Sequence, residues 1–237
     1  MVDVAQPVRP AGLPLAKLQQ SRVYDALMRL QVMVYGTLIG WASLMGLAKY
    51  VDTADPTLPN AVYGINIAMR VSSIAFLFLL AIMAVVRERA RGKARGVEPR
   101  ISALVGTFLV YAVVIFPRRE LSVGGEIAAT ALILLGTALA AYALTQLGRS
   151  FSVMAEARQL VTSGVYRIVR HPLYVAEEIA VIGLVIQFLS YQTLLLVAVH
   201  AGFQLRRMRN EEAILIITFP EYGAYKKKTA RLIPGVY

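Results

Sequence analysis

The stretch LYVAEEIAVIGLVIQFLSYQTLLLVAVHAGFQL, Leu173 to Leu205, decides the fold. Its 33 residues would form a helix of about 50 Å, well beyond the ~30 Å hydrocarbon core of a bilayer. A single untilted span cannot use it all. Ser190-Tyr191-Gln192 is the natural polar interruption, and a break there gives a helical hairpin with halves of about 16 and 14 residues.

Working outward, four further apolar segments precede the hairpin: Leu30–Ala48, Ala61–Val86, Ile101–Phe116 and Val123–Leu147. Between them lie an acidic loop (Asp52, Asp55, Pro56, Pro59), the basic stretch RERARGKARGVEPR (Arg87–Arg100) and a short turn, Pro117–Glu120. Residues Met1–Leu18 are rich in Pro and Ala and lack the pattern of a cleaved signal peptide, and Gln19–Arg29 reads as an interfacial helix. The chain is 57% hydrophobic and 16% charged, with a mean hydropathy of +0.60. Soluble domains carry about 25% charge. Both figures exclude a disordered chain and an ordinary soluble domain. The expected class is all-α: a polytopic integral membrane helical bundle of about five to six spans, with N-terminal transmembrane helices over 1–147 and a loop, hairpin and tail over 148–237.

Charge gives the orientation. The net charge is +11, from 25 Lys+Arg against 14 Asp+Glu. With six crossings and both termini on one side, the four segments of that side carry four, six, four and seven Lys+Arg, 21 in all. The other side holds three: Lys49, Arg118 and Arg119. This asymmetry fits the positive-inside rule. It puts both termini, the loop Arg149–Pro172 and the tail in the cytosol, and it removes the need for a nucleic-acid partner. Arg70 and Glu126 fall within spans, where an ionisable side chain is costly. Interhelical pairing or snorkelling is the plainer reading of such residues, and transport the sharper one.

The chain has no Cys and two His, His171 and His200. Disulfides, thiolate chemistry and cysteine zinc sites are excluded, and no metal site is expected. No GxxxxGK[ST], GxGxxG, HExxH or EF-hand pattern occurs. Chemistry is left to two strips that bracket the hairpin. The first is Gly164 to Tyr174, GVYRIVRHPLY. Pro172 suits the first turn of a helix, which places Arg170 and His171 beside unpaired backbone N–H groups that favour anions. Tyr166 and Tyr174 offer flat, amphipathic surfaces. The second strip is RRMRNEEAIL, Arg206 to Leu215. Its carboxylates suit hydroxyl or ammonium groups and its arginines an anionic head. A solvated helix with an Arg207–Glu211 pair explains the same residues. Glu177 and Glu178 form a further carboxylate pair early in the hairpin, for which Arg170 or Arg206 are the expected partners. Lys226–Lys228 in the tail suit anionic headgroups.

At these strips the sequence resembles the isoprenylcysteine carboxyl methyltransferase family, part of a wider group with the phospholipid N-methyltransferases. The segments LVTSGVYRIVRHPLY (Leu160–Tyr174), RMRNEEAIL (Arg207–Leu215) and FPEYGAYKKKTARLIP (Phe219–Pro234) carry the resemblance. It covers about the last 90 residues. Residues 1–140 match only as hydrophobic spans.

The resemblance implies an integral membrane methyltransferase that uses S-adenosylmethionine in a cytosol-facing pocket and acts on a lipophilic or lipidated acceptor. It implies that Arg158, Gln159, Leu160 and Val161 line the cofactor, largely through backbone. Tyr166, His171, Pro172, Leu173 and Tyr174 would touch it, and Glu211 would hold one of its polar groups. Arg207 would contact the acceptor from the lipid side. Glu212 and Arg231 match recurrent family positions and join Arg207 as catalytic candidates. A carboxylate acceptor needs no base, whereas an amine acceptor would call on Glu212. The chain departs from the family at Ala176, a frequent Gly position, and at Pro220. The alternatives are a phospholipid N-methyltransferase, an NADPH-dependent reductase of lipid double bonds, whose relatives share related C-terminal sequences, and a non-catalytic membrane protein.

Overall fold

The computed structural model describes residues 22–236. The reading of Met1–Leu18 lies outside the described residues. Helix α1 (Arg22–Asp52) and helix α2 (Asn60–Val86) form an antiparallel pair. The loop between them is tightened by Asp55, whose carboxylate accepts from the Thr57 backbone N–H and hydroxyl, at 2.8 and 2.7 Å. The pair packs closely because Gly36 has no side chain: a Cβ there would sit 2.8 Å from the Leu77 carbonyl oxygen. Residues 22–29 are the first turns of α1, not a separate interfacial helix. Ion pairs hold them in line, since Asp25 meets Arg29 at 2.8 Å and faces Arg87 and Arg158 at 3.5 and 3.7 Å.

Helix α3 (Glu98–Phe108) continues as a 3₁₀ helix over Leu109–Ile115. That extension is rich in β-branched residues and runs toward Pro117, which disfavours further α-helix. The tighter helix rises ~2.0 Å per residue, so this short segment reaches about 30 Å, where an α-helix of equal length would reach about 27 Å. Helix α4 (Val123–Leu147) starts at Ser122, whose hydroxyl accepts from Gly125 N–H at 3.2 Å. It ends at Gly148, where φ is +52°. The segments Asp25–Asp52, Asn60–Val86, Glu98–Ile115 and Val123–Ser150 are long and apolar enough to cross a membrane. The protein is an all-α integral membrane bundle.

The hairpin follows as α5 (Pro172–Gln187) and α6 (Tyr191–Thr218). The break falls at 188–190, where Ser190 caps α6 by accepting from Thr193 N–H at 3.1 Å, and the Thr193 hydroxyl bonds the Phe188 carbonyl at 2.6 Å. Helix α5 spans about 24 Å, short of a full crossing. The second half does not stop at Leu205: α6 runs on through the Arg206–Glu212 strip to Thr218. Helices α4 and α5 meet through small residues. A Cβ on Gly136 would come within 2.5–2.8 Å of Ala176 and Ala180, and one on Gly183 within 2.5 Å of the Ala129 carbonyl oxygen. Ala176 is therefore a helix-packing position.

At this same end of α6, a two-residue antiparallel ladder pairs β1 (Gly92–Lys93) with β2 (Glu156–Ala157). The tail forms α7 (Tyr222–Lys228) and then an extended segment. A small core of Ala157, Phe219 and Tyr222, packed by Leu160, Ile214, Leu215 and Tyr225, holds these pieces together.

Candidate functional site

The extended tail lies parallel to the first strip through the Val169–Ala230 bridge. Arg170 N–H donates to the Ala230 carbonyl at 2.8 Å, and His171 N–H to the Arg231 carbonyl at 3.1 Å. Helix α6, emerging from the hairpin, brings Arg207, Glu211 and Glu212 against the same strip. The two strips flanking the hairpin therefore close on each other.

Glu212 is the hub of one cluster. Arg231 grips it with two bonds, Nε to Oε1 at 3.0 Å and Nη2 to Oε2 at 2.8 Å. Arg170 Nε donates to Oε1 at 2.9 Å, Lys226 Nζ lies 3.1 Å from Oε2, and His171 Nε2 lies 3.3 Å from Oε1. Arg170 also bonds the carbonyls of Lys226 and Thr229, locking the tail. Burial alone would push the Glu212 carboxyl up. The bonds from His171, Arg231, Arg170 and Lys226 outweigh it and hold the group well below the usual carboxylate range. Glu212 is thus a fixed anion and a poor base.

Glu211, one residue earlier, faces the other way. Its Oε1 accepts from the Tyr174 hydroxyl at 2.6 Å and lies 3.3 Å from Arg207 Nε. The helical Arg207–Glu211 pair foreseen as solvated is present, but Arg207 is only 4% exposed. Its guanidinium stacks over the Tyr174 ring, 5.0 Å from the centroid, and Nη1 donates to the Thr107 hydroxyl of α3 at 2.9 Å.

Between the strips lies a cavity of about 100 Å³. Arg158, Gln159, Leu160, Val161, Tyr166, His171, Leu173, Tyr174, Arg207 and Glu211 all line it. Pro172 opens α5 and is buried, but it is not part of the lining. Glu212 and Arg231 stand behind the wall. The Arg158 side chain is wholly buried and bonds Glu156 and the Glu88 carbonyl, so it fastens the loop to the rest of the cap. Gly164 turns the loop at φ +59°, where a Cβ would also collide with Gln146 Oε1. Tyr225 reaches across to the Tyr166 carbonyl at 2.5 Å. Burial pushes the Tyr166 and Tyr222 hydroxyls up and raises Tyr225 to about 12. All three stay protonated at neutral pH.

Several lining residues carried no sequence signal: Leu147, Ser150, Ser152 and Met154 belong to no motif. Thr107 lies 100 residues before Arg207, and only the packing of α3 against α6 brings it near. Tyr222 and Tyr225 were legible as tail aromatics but not as walls of the cavity. Glu177 and Glu178 correct an expectation. They meet α6, with Gln204 Nε2 donating to Glu177 at 2.9 Å and His200 Nε2 lying 3.2 Å from Glu178. The expected partners are engaged elsewhere, Arg170 with Glu212 and Arg206 with Glu98 at 2.7 Å. At the far end, Arg70 stacks over Tyr50 at 4.6 Å and Arg118 pairs with Glu126. Arg70 is thus engaged by the neighbouring helix and Glu126 by the turn that precedes its own helix.

Residues 129–217 match the profile of the isoprenylcysteine carboxyl methyltransferase family. The protein-S-isoprenylcysteine O-methyltransferase of Schizosaccharomyces pombe is 40% identical over 109 residues, 42% of this chain and 45% of that protein. The cobalt-zinc-cadmium resistance protein CzcN of Cupriavidus metallidurans is 36% identical over 76 residues, 32% of this chain and 35% of its own. The matches span less than half the length of either relative.

Proposed function

We propose, from the family match over residues 129–217 and the chemistry of the cavity, that this membrane protein is an S-adenosylmethionine-dependent methyltransferase. It acts on the carboxyl group of a lipophilic acceptor of the isoprenylcysteine type. One observation supports this most: the motif strips on either side of the hairpin line a single cavity that Tyr174 and Glu211 close with a 2.6 Å bond. In this reading residues 148–237 form the catalytic unit, carried by the helices of 1–147. Both termini face the cytosol, as the 21-to-3 distribution of Lys and Arg favours.

The donor set suits the cofactor. Glu211 is a carboxylate for its ammonium or ribose hydroxyls. Tyr166 and Tyr174 offer faces for a ring, and Gln159–Val161 offer backbone polar groups. The cavity of about 100 Å³ is below the ~300–1,000 Å³ typical of small-molecule sites. Admission therefore requires its walls to part, and the stretch 159–163, which follows the Arg158 anchor and carries no helix or strand, is the wall with least to hold it.

When bound, the cofactor would supply a methyl group already activated by its sulfonium charge. The protein's share is alignment and exclusion of water. Arg207, seated between Tyr174 and Thr107, orients the acceptor's head at the membrane side. Tyr166, Tyr222 and Tyr225 seal the cytosolic side. Glu212, Arg170, Arg231 and Lys226 fix the tail as the cavity's outer frame, a positioning role for Glu212 and Arg231.

The test is methyl transfer by the purified protein in detergent. Radiolabelled S-adenosylmethionine should label N-acetyl-S-farnesylcysteine and not phosphatidylethanolamine. Labelling of the amine lipid alone would move the function to N-methylation, and labelling of neither probe would count against this acceptor class.

A further inference from the structure

Below the cavity, three pairs cross the seam between α5 and α6. They are Tyr174 with Glu211 at 2.6 Å, Glu177 with Gln204 at 2.9 Å and Glu178 with His200 at 3.2 Å. The α6 partners, His200, Gln204, Arg207 and Glu211, fall at spacings of four, three and four and so share one helix face. Polar groups leading from a cytosolic site into an apolar hairpin are costly and mark ligand paths.

The seam is also unfinished. His200, Gln204 and Arg207 are 1%, 2% and 4% exposed. Yet among the described residues His200 Nδ1 and Gln204 Oε1 have no hydrogen-bond partner, and His200 Nε2 and Arg207 Nε meet only carboxylate oxygens at ion-pair distance, Glu178 at 3.2 Å and Glu211 at 3.3 Å. Buried polar atoms left so are expensive. The charge is unbalanced as well: three carboxylates, Glu177, Glu178 and Glu211, stand against the one permanent cation, Arg207. Such a seam complements a head that brings a proton and repels one that brings a second negative charge.

Resting on the methyltransferase reading, we propose that the α5–α6 seam binds the acceptor's polar head in its protonated form, with the Glu177 carboxylate receiving its O–H or N–H. A lipid acid arriving through the bilayer meets this condition, because burial favours its neutral form; its proton then passes to the Glu177 carboxylate, leaving the acceptor carboxylate that takes the methyl group. An amine meets it as an ammonium. The groups facing Glu177 are Arg207 and His200 from α6, Tyr111 from the 3₁₀ extension of α3, Tyr166 from the loop, and Tyr174 and Glu178 on its own helix. Among these, His200 and Glu178 pair with each other, and Tyr174 is spent on Glu211.

Calorimetric binding to the full-length protein in detergent, without cofactor, tests this with three probes: farnesylamine, N-acetyl-S-farnesylcysteine and its methyl ester. At pH 7 farnesylamine should bind about ten- to a hundred-fold more tightly than the ester, the range of one hydrogen bond to a charged group. The free acid should overtake the ester only as pH falls toward 5. Glu177→Gln should bring amine and ester within about threefold while binding of S-adenosylhomocysteine is unchanged, which also reports correct folding. Should that variant fail to fold, Glu177→Asp should keep the charge and part of the preference. Glu178→Gln should leave the ratio as it is. A Glu177→Gln or Glu177→Asp protein that binds S-adenosylhomocysteine and discriminates amine from ester as the wild type does would overturn the assignment. Loss of S-adenosylhomocysteine binding by the wild type would instead strike the methyltransferase reading itself.

Discussion

Two polar regions meet at the open end of the hairpin, built from the same kinds of residue and resolved in opposite ways. Around Glu212, each carboxylate oxygen is engaged: Arg231 and Lys226 at Oε2, Arg231, Arg170 and the His171 ring at Oε1. Along the α5–α6 seam, Gln204 Oε1 and His200 Nδ1 are buried without partners among the described residues. The first region is closed and frames the tail. The second leaves hydrogen-bonding capacity unused, which the proposed function assigns to a ligand. Adjacent carboxylates in the sequence, Glu211 and Glu212, thus face the cavity and the frame respectively, because consecutive helical positions point about 100° apart.

The largest effect should come from breaking the closed region. Glu212→Gln leaves Arg170, Arg231 and Lys226 without their anion and should cost about 3–5 kcal/mol, the range for severing a buried ion pair. Thermal unfolding in detergent measures it, and a loss below about 1 kcal/mol would mean the cluster is a surface feature. The sign with pH follows from the lowered carboxyl. The Glu212 contribution is fully present above the ordinary Glu value near 4.5, and it is lost as pH falls below that value toward the lowered folded-state one. The same melts from pH 7 down to pH 4 should therefore stay level until the acid end of the range.

In the open region, Arg207→Lys keeps the charge but loses the fork that meets Thr107 and that the proposed function turns to the acceptor. Methyl transfer should fall about a hundred-fold, with the unfolding midpoint nearly unchanged. An equal loss of stability would place Arg207 with the frame instead. A smaller effect tests the shared scaffold. Gly136→Val forces α4 and α5 apart and should cost about 1–3 kcal/mol, read by the same melts. The smallest belongs far from both regions. Arg70→Gln removes a cation–π contact with Tyr50 and should cost no more than about 1 kcal/mol, with methyl transfer intact.

Much of this was legible in the sequence. The break in the long apolar stretch was placed within two residues, because Ser190 is both polar and a helix cap. The α4 boundaries were read to the residue, between the Ser122 cap and Gly148. The family motifs pointed to both strips, and the strips do meet. What escaped has a physical reason. That Glu212 is a frame and Glu211 a ligand group depends on which helix face each occupies and on where Ala230 docks, and neither is a local property. Glu177 and Glu178 were assigned to arginines because charge alone suggests arginine; the fold offers Gln204 and His200 instead. Thr107 becomes visible only once α3 lies beside α6.

The most direct measurement is equilibrium binding of radiolabelled S-adenosylhomocysteine to the purified protein, wild type beside Glu211→Ala. If the Tyr166–Tyr174 and Arg207–Glu212 strips wrap one small molecule, the wild type binds it and the variant, while folded, does not. Undiminished binding by Glu211→Ala, or none by the wild type, would contradict a shared cofactor site between them.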